Sequence, residues 1–163
     1  MSSPVMVAAA RLFAIACLLV LAGAGPAGAW WQYAEWGLSE GQIMTASSGQ
    51  AVPCRADAPV CARTSIGEPR LFVESLQMVG MPASASFVFD TQGRLNQTIV
   101  LFPNADFALI CSLLQGIHGT AIEDRPGEPS VRVWRDGRRG SIITATSTRA
   151  GTMLSYQPVN RPG

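Results

Sequence analysis

His118 is the only histidine in the chain, so any Ser-His-Asp, Cys-His or histidine-ligated metal chemistry has to pass through it. Cys111, the nearest thiol, precedes it by seven residues. On a helix that separation is about 10 Å of rise, against the roughly 3 Å contact that a nucleophile and its base need. A histidine near a helix C-terminus, where the dipole favours the imidazolium, is the plainer role. Glu123 with Asp124, or Glu35 with Glu40, could act as acid and base, although acids in polar loops are usually solvated. The chain has no Gly-x-Ser-x-Gly elbow, no Gly-Lys phosphate loop and no Cys-x-x-Cys. These residues point to binding and not to an enzyme, with no catalytic residue, no cofactor and no metal.

Two clusters suit binding. Trp30, Trp31, Tyr33 and Trp36 fall within seven residues, and such rings stack on sugars or anchor a protein partner. Alternation puts Trp31 and Tyr33 on one face of a strand, where packing into the core is the competing fate. The second cluster is Arg132, Arg135, Arg138 and Arg139 around Trp134. With Asp136-Gly137 as a two-residue hairpin loop, Arg135 faces Arg138 and Trp134 faces Arg139. Opposed like charges are unfavourable, whereas a guanidinium over the indole gains about 0.5 to 1 kcal/mol. This Arg-Trp tip is a candidate partner-binding surface, and a solvated hairpin is its alternative.

Cys54 and Cys61 bracket Arg55-Ala56-Asp57-Ala58-Pro59-Val60, an exposed-loop composition that a disulfide would close. No second Cys or His pair accompanies them, so the spacing does not read as zinc. Phe107, Ile110, Leu114 and Ile117 recur at helical spacing, and Cys111 borders their stripe. It reads as a small buried hydrophobe, the other reading being a reactive thiol or an intermolecular bridge.

Ahead of Glu35 the only charge is Arg11, followed by an apolar run from Leu12 to Ala22, then Gly23, Gly25 and Pro26, and the small triplet Ala27-Gly28-Ala29. The run is shorter than the roughly 20 residues that span a bilayer. It has the layout of a secretory signal, residues 1–29, cleaved after Ala29. Cys17 precedes Leu18-Leu19-Val20-Leu21 where a lipoprotein would start polar. The expected product is periplasmic or secreted, with no stable membrane span. Of 163 residues, 48% are hydrophobic and 14% charged, with 12 basic against 11 acidic side chains. Loss of Arg11 makes the remainder neutral, which gives no electrostatic reason to invoke nucleic acid. This length fits a single domain, residues 30–158, with a frayed tail at 159–163.

Cap and turn chemistry lays out the elements. Ser39-Glu40-Gly41-Gln42 is a capping box that opens a short helix carrying Ile43, Met44 and Ala46 inward to Gly49. Strands are expected over Leu71–Val79, Ser84–Phe89 and Leu95–Phe102, the last two joined by Asp90-Thr91-Gln92-Gly93. A stronger helix runs from Ala105 to His118 and ends at Gly119, followed by a polar loop from Ile122 to Ser130. Val131–Arg135, Arg138–Ala145 and Thr152–Gln157 are the closing strands. Both halves therefore read helix, glycine, strands. The expected fold class is α+β, two helix-plus-three-strand units forming antiparallel sheet with helices packed on it.

Trp36-Gly37-Leu38-Ser39 into a helix, the hairpin from Phe87-Val88-Phe89-Asp90 to Gly93-Arg94-Leu95, and a helix ending in Gly before a Trp-bearing strand form an outline over residues 36–156. It resembles small periplasmic domains of the BamE-like and β-lactamase-inhibitor-like kind. Members of those families mostly bind other envelope proteins or inhibit enzymes, which implies an envelope protein as partner here. A glycan or small ligand held by the N-terminal aromatics is the alternative.

Overall fold

The computed structural model describes residues 29–31, 33–63 and 68–159. The expected signal segment up to Gly28 with its Cys17, and the tail from Asn160, lie outside the described residues, as do the side chains of Trp30 and Trp31. In chain order the elements are β1 (Ala29–Trp31), β2 (Ala34–Glu35), α1 (Glu40–Ala46), β3 (Val52–Pro53), a 3-10 turn at Pro59–Cys61, β4 (Pro69–Met78), β5 (Met81–Phe89), β6 (Leu95–Pro103), α2 (Phe107–His118), β7 (Glu123–Arg125), β8 (Val131–Asp136), β9 (Ser141–Thr148) and β10 (Gly151–Pro158).

β1 and β2 pair as a small ribbon, and the remaining strands form one eight-stranded antiparallel sheet in the order β3-β4-β5-β6-β10-β9-β8-β7. This corrects the expected fold class. The protein is strand-rich, 48% strand against 17% helix among the described residues, and is not a pair of balanced α+β units. The physical reason is the ladder between β6 and β10, which runs from Pro103 opposite Gly151 to Thr98 opposite Tyr156 and fuses both halves into a continuous sheet. Val52–Pro53 and Glu123–Arg125, read from the sequence as connections, add short edge strands.

The helices are brief for local reasons. α1 has the complete capping box, with Ser39 Oγ accepting from Gln42 N and Gln42 Oε1 accepting from Ser39 N. Ser48 and Gly49 then turn left-handed at φ 52° and 79°, ending it after seven residues. Only Ile43 is buried in it, while Met44 and Ala46, expected inward, are exposed. α2 starts two residues later than expected because Asp106 is its cap, accepting from Ala108 N at 2.7 Å. It ends as expected at Gly119.

Alternation divides the sheet into two faces. Leu71, Val73, Ala83, Ala85, Phe87, Val100, Phe102, Leu154, Tyr156, Ile143, Ala145 and Trp134 share one face and the main core with Ile43 of α1 and with Ile110, Cys111 and Leu114 of α2. α2 contacts β8, β9 and β10. On the other face, Phe72, Val88 and Ile99 are buried where the 3-10 turn contacts β4, β5 and β6. That turn belongs to the loop closed by the disulfide Cys54–Cys61, and Arg55 within the loop lies 5.1 Å from the Phe72 ring centre. Val159, the first residue of the expected frayed tail, is held, its N–H donating to Gly140 O.

Gly151 begins β10 at φ 129°, and a Cβ there would overlap the carbonyl of Phe102 and the amide of Asn104. Gly151→Ala is expected to cost about 3 kcal/mol through strain and steric conflict, read by urea denaturation. Replacing Cys54 and Cys61 together by Ala should remove about 2 kcal/mol in the same assay. In the intact protein, denaturation without reductant should expose Cys111 to alkylation and leave Cys54 and Cys61 unlabelled.

Candidate functional site

α2 contains no Asp, Glu or Arg, and its apolar residues run round more than one flank. Ile110, Cys111 and Leu114 turn into the core, while Leu109, Leu113 and Ile117, four residues apart, lie 50%, 36% and 64% exposed. Ile117, expected in the buried stripe, is therefore on the surface. A helix apolar on both its inner and outer flanks is normally covered by something beyond its own sheet.

Beside this outer flank stands the tight turn that joins β4 to β5, where Met78 faces Met81 across Val79 and Gly80. Both turn residues are left-handed, Val79 at φ 49° and Gly80 at φ 78°. Glycine tolerates that conformation, but a β-branched side chain does not adopt it without strain. Val79 nevertheless stands there 55% exposed. Strained backbone of this kind clusters at functional sites.

Between α2 and this turn lies a pocket of about 110 Å³. Its walls are Ile110, Leu113, Leu114 and Ile117 from α2, with Met78 and Val79 opposite and Phe102, Ile143 and Leu154 from the sheet. One end is polar, lined by His118, Asp136, Arg139, Ser141 and Tyr156. Trp134 fixes the helix end beside it by donating from Nε1 to Gly119 O at 3.1 Å. Asp136 organises the turn after β8, its Oδ1 accepting from the backbone N–H groups of Arg138 and Arg139. Asp136 Oδ2 lies 3.8 Å from His118 Nδ1 and 4.0 Å from Arg139 Nε. Ser141 Oγ accepts from Trp36 Nε1 at 3.2 Å and donates to Arg139 O.

Burial holds His118 below its ordinary value, with Asp136 opposing that shift and Arg139 adding to it. Burial thus favours the neutral imidazole. Burial also pushes Tyr156 well above the ordinary tyrosine range. An apolar cavity with a few convergent polar groups suits an apolar ligand group whose orientation is fixed at one end.

The Arg-Trp hairpin differs from its expected form. The loop is Gly137–Gly140, because Asp136 pairs with Ser141 and Arg135 with Ile142, and Gly140 takes φ 59°. Trp134 consequently lies opposite Ile143, fully buried, and not opposite Arg139. Arg132 bonds Asp124 at 2.9 Å. Arg135 is exposed on the sheet face away from α2, and Arg138 is exposed in the turn. Only Arg139 of the five reaches the pocket. Among the N-terminal aromatics, Tyr33 lies in the turn between β1 and β2 and not within a strand. Tyr33 and Trp36 are partly buried against the core, and burial pushes Tyr33 up to about 12.

Glu123 and Asp124 are neighbours on β7, so their side chains leave opposite faces, Glu123 to Arg125 and Asp124 to Arg132. They do not converge as an acid–base pair. Cys111 is free, fully buried, and its thiol is pushed up by burial. Among the described residues no group of three or more His, Cys, Asp or Glu side chains could hold a metal ion. No helix of the described residues is long and apolar enough to cross a membrane.

Sequence reasoning missed the pocket because its walls come from six elements. The recoverable signal was Leu109, Leu113 and Ile117 at four-residue spacing on a helix without Asp, Glu or Arg. Comparison with known proteins adds no relative: no family model, curated protein or solved structure matches the chain.

The shift at His118 gives a testable pH dependence. Its folded-state value is lowered, so on acidification below about 6.5 the unfolded chain takes up the proton first and native stability falls. His118→Gln should flatten that part of the profile, measured as urea midpoints between pH 7 and pH 5.

Proposed function

We propose that this protein is an exported, non-catalytic binding module of the cell envelope, and that it holds another envelope protein at the pocket between α2 and the β4–β5 turn. The observation that carries this reading is the apolar mouth formed by Val79, Leu113 and Ile117, continued along α2 by Leu109. Exposed apolar groups gathered at an opening mark interaction sites, unlike isolated ones. Export is supported by the disulfide Cys54–Cys61, which persists in oxidising compartments, together with the signal-like layout of residues 1–29. The resemblance to BamE-like and β-lactamase-inhibitor-like domains points the same way. Glycan binding through Trp30, Trp31, Tyr33 and Trp36 is less favoured, because Tyr33 and Trp36 pack against the core.

A photo-reactive side chain placed at Ile117 should cross-link to a specific protein in the native envelope, whereas one placed at Thr146, on the opposite sheet face, should not. Val79→Asn, which suits the left-handed turn, should raise stability by about 1 kcal/mol while reducing that cross-link. Equal labelling from both positions, or none from Ile117, would refute this assignment.

A further inference from the structure

We infer that the segment seated in the pocket presents one aliphatic side chain beside a carboxylate, an inference that rests on the pocket being the binding site. Size sets the anchor. An apolar cavity of about 150 Å³ holds a benzene ring, so about 110 Å³ with walls of Ile110, Leu113, Leu114, Ile143 and Leu154 takes a single branched aliphatic side chain. Charge sets the flanks. Among the described residues Asp136 is the only acid in the lining; its Oδ1 accepts from two backbone N–H groups and its Oδ2 lies 4.0 Å from Arg139 Nε. Arg139, with its side chain 53% exposed, lines the polar end, and exposed Arg138 follows Asp136 in the same turn.

Arg138 and Arg139 against the single Asp136 carboxylate leave this turn with a net of one positive charge, while α2 adds no acid. An acidic flank meets complementary charge there, and a basic flank meets like charge.

The test uses the purified full chain and two fluorescent twelve-residue peptides. Both carry Leu at i, i+3, i+4 and i+7, with Glu at the remaining positions in one and Lys in the other. Fluorescence anisotropy at pH 7 should show the Glu peptide binding about threefold more tightly, the scale of one partly exposed ion pair. Arg138→Glu and, separately, Arg139→Gln should each shrink that preference, and Ile117→Asp should weaken both peptides. Thermal melts of each variant report whether the fold is retained, and Arg138→Glu touches no contact of the core. No binding of either peptide, equal binding, preference for Lys, or a preference that survives both arginine variants would overturn the inference. So would sedimentation showing a dimer in which Ile117 is protected, since the occupant would then be a second copy. The photo-cross-link from Ile117 is independent of peptide charge. Its presence with failed peptides leaves the binding site standing, and its absence removes the site itself.

Discussion

The pairing of β6 with β10 is the constraint on which the rest of the structure depends. Each half of the chain folds its own hairpins locally, but neither half has a complete core without the other. When Val100 meets Leu154 and Phe102 meets Thr152, the two sets of strands become a single sheet. α2 lies over β8, β9 and β10, and its Ile110 and Leu114 join Phe102, from the first half, in the main core. The pocket straddles the same seam, with Phe102 from β6 beside Leu154 and Tyr156 from β10. A site built across a long-range ladder forms only when both halves of the chain have paired.

Two aspartates set the hairpin turns that frame this arrangement. Asp90 closes the β5–β6 turn by accepting from the amides of Gln92 and Arg94, both at 2.9 Å. Asp136 does the same after β8 for Arg138 and Arg139, and its second oxygen faces the pocket. One carboxylate therefore shapes a turn and supplies part of the polar end of the site. This economy explains why the cationic turn and the end of α2 lie together, since Trp134, two residues before Asp136, bonds Gly119 at that helix end.

What could be read from the sequence was the chemistry of short range. The Ser39 capping box, the Gly119 stop, the Asp90 turn and the Cys54–Cys61 bridge each depend on residues within a few positions of one another, and each is present. The seam between β6 and β10 was not legible, because the Pro103–Gly151 and Thr98–Tyr156 pairings join segments separated by α2 and three strands. The β8–β9 loop was misread for a different reason. Asp136-Gly137 fits a two-residue turn by type, and only the side-chain bonds of Asp136 with the left-handed Gly140 select the longer loop. That difference moved Trp134 from the surface to the core and left Arg139 as the one arginine of its cluster at the pocket. His118 is legible as the single histidine of the sequence, but its neighbours Asp136, Ser141 and Tyr156 come from three strands that α2 contacts, β8, β9 and β10.

The central claim is that binding occurs at the mouth between α2 and the β4–β5 turn. Hydrogen–deuterium exchange of the purified full chain, with and without detergent-solubilised envelope proteins, addresses it most directly. The account predicts added protection confined to residues 78–80 and 109–118. Protection centred instead on Thr144, Thr146 and Met153 of the opposite sheet face, or no change at α2, would contradict it.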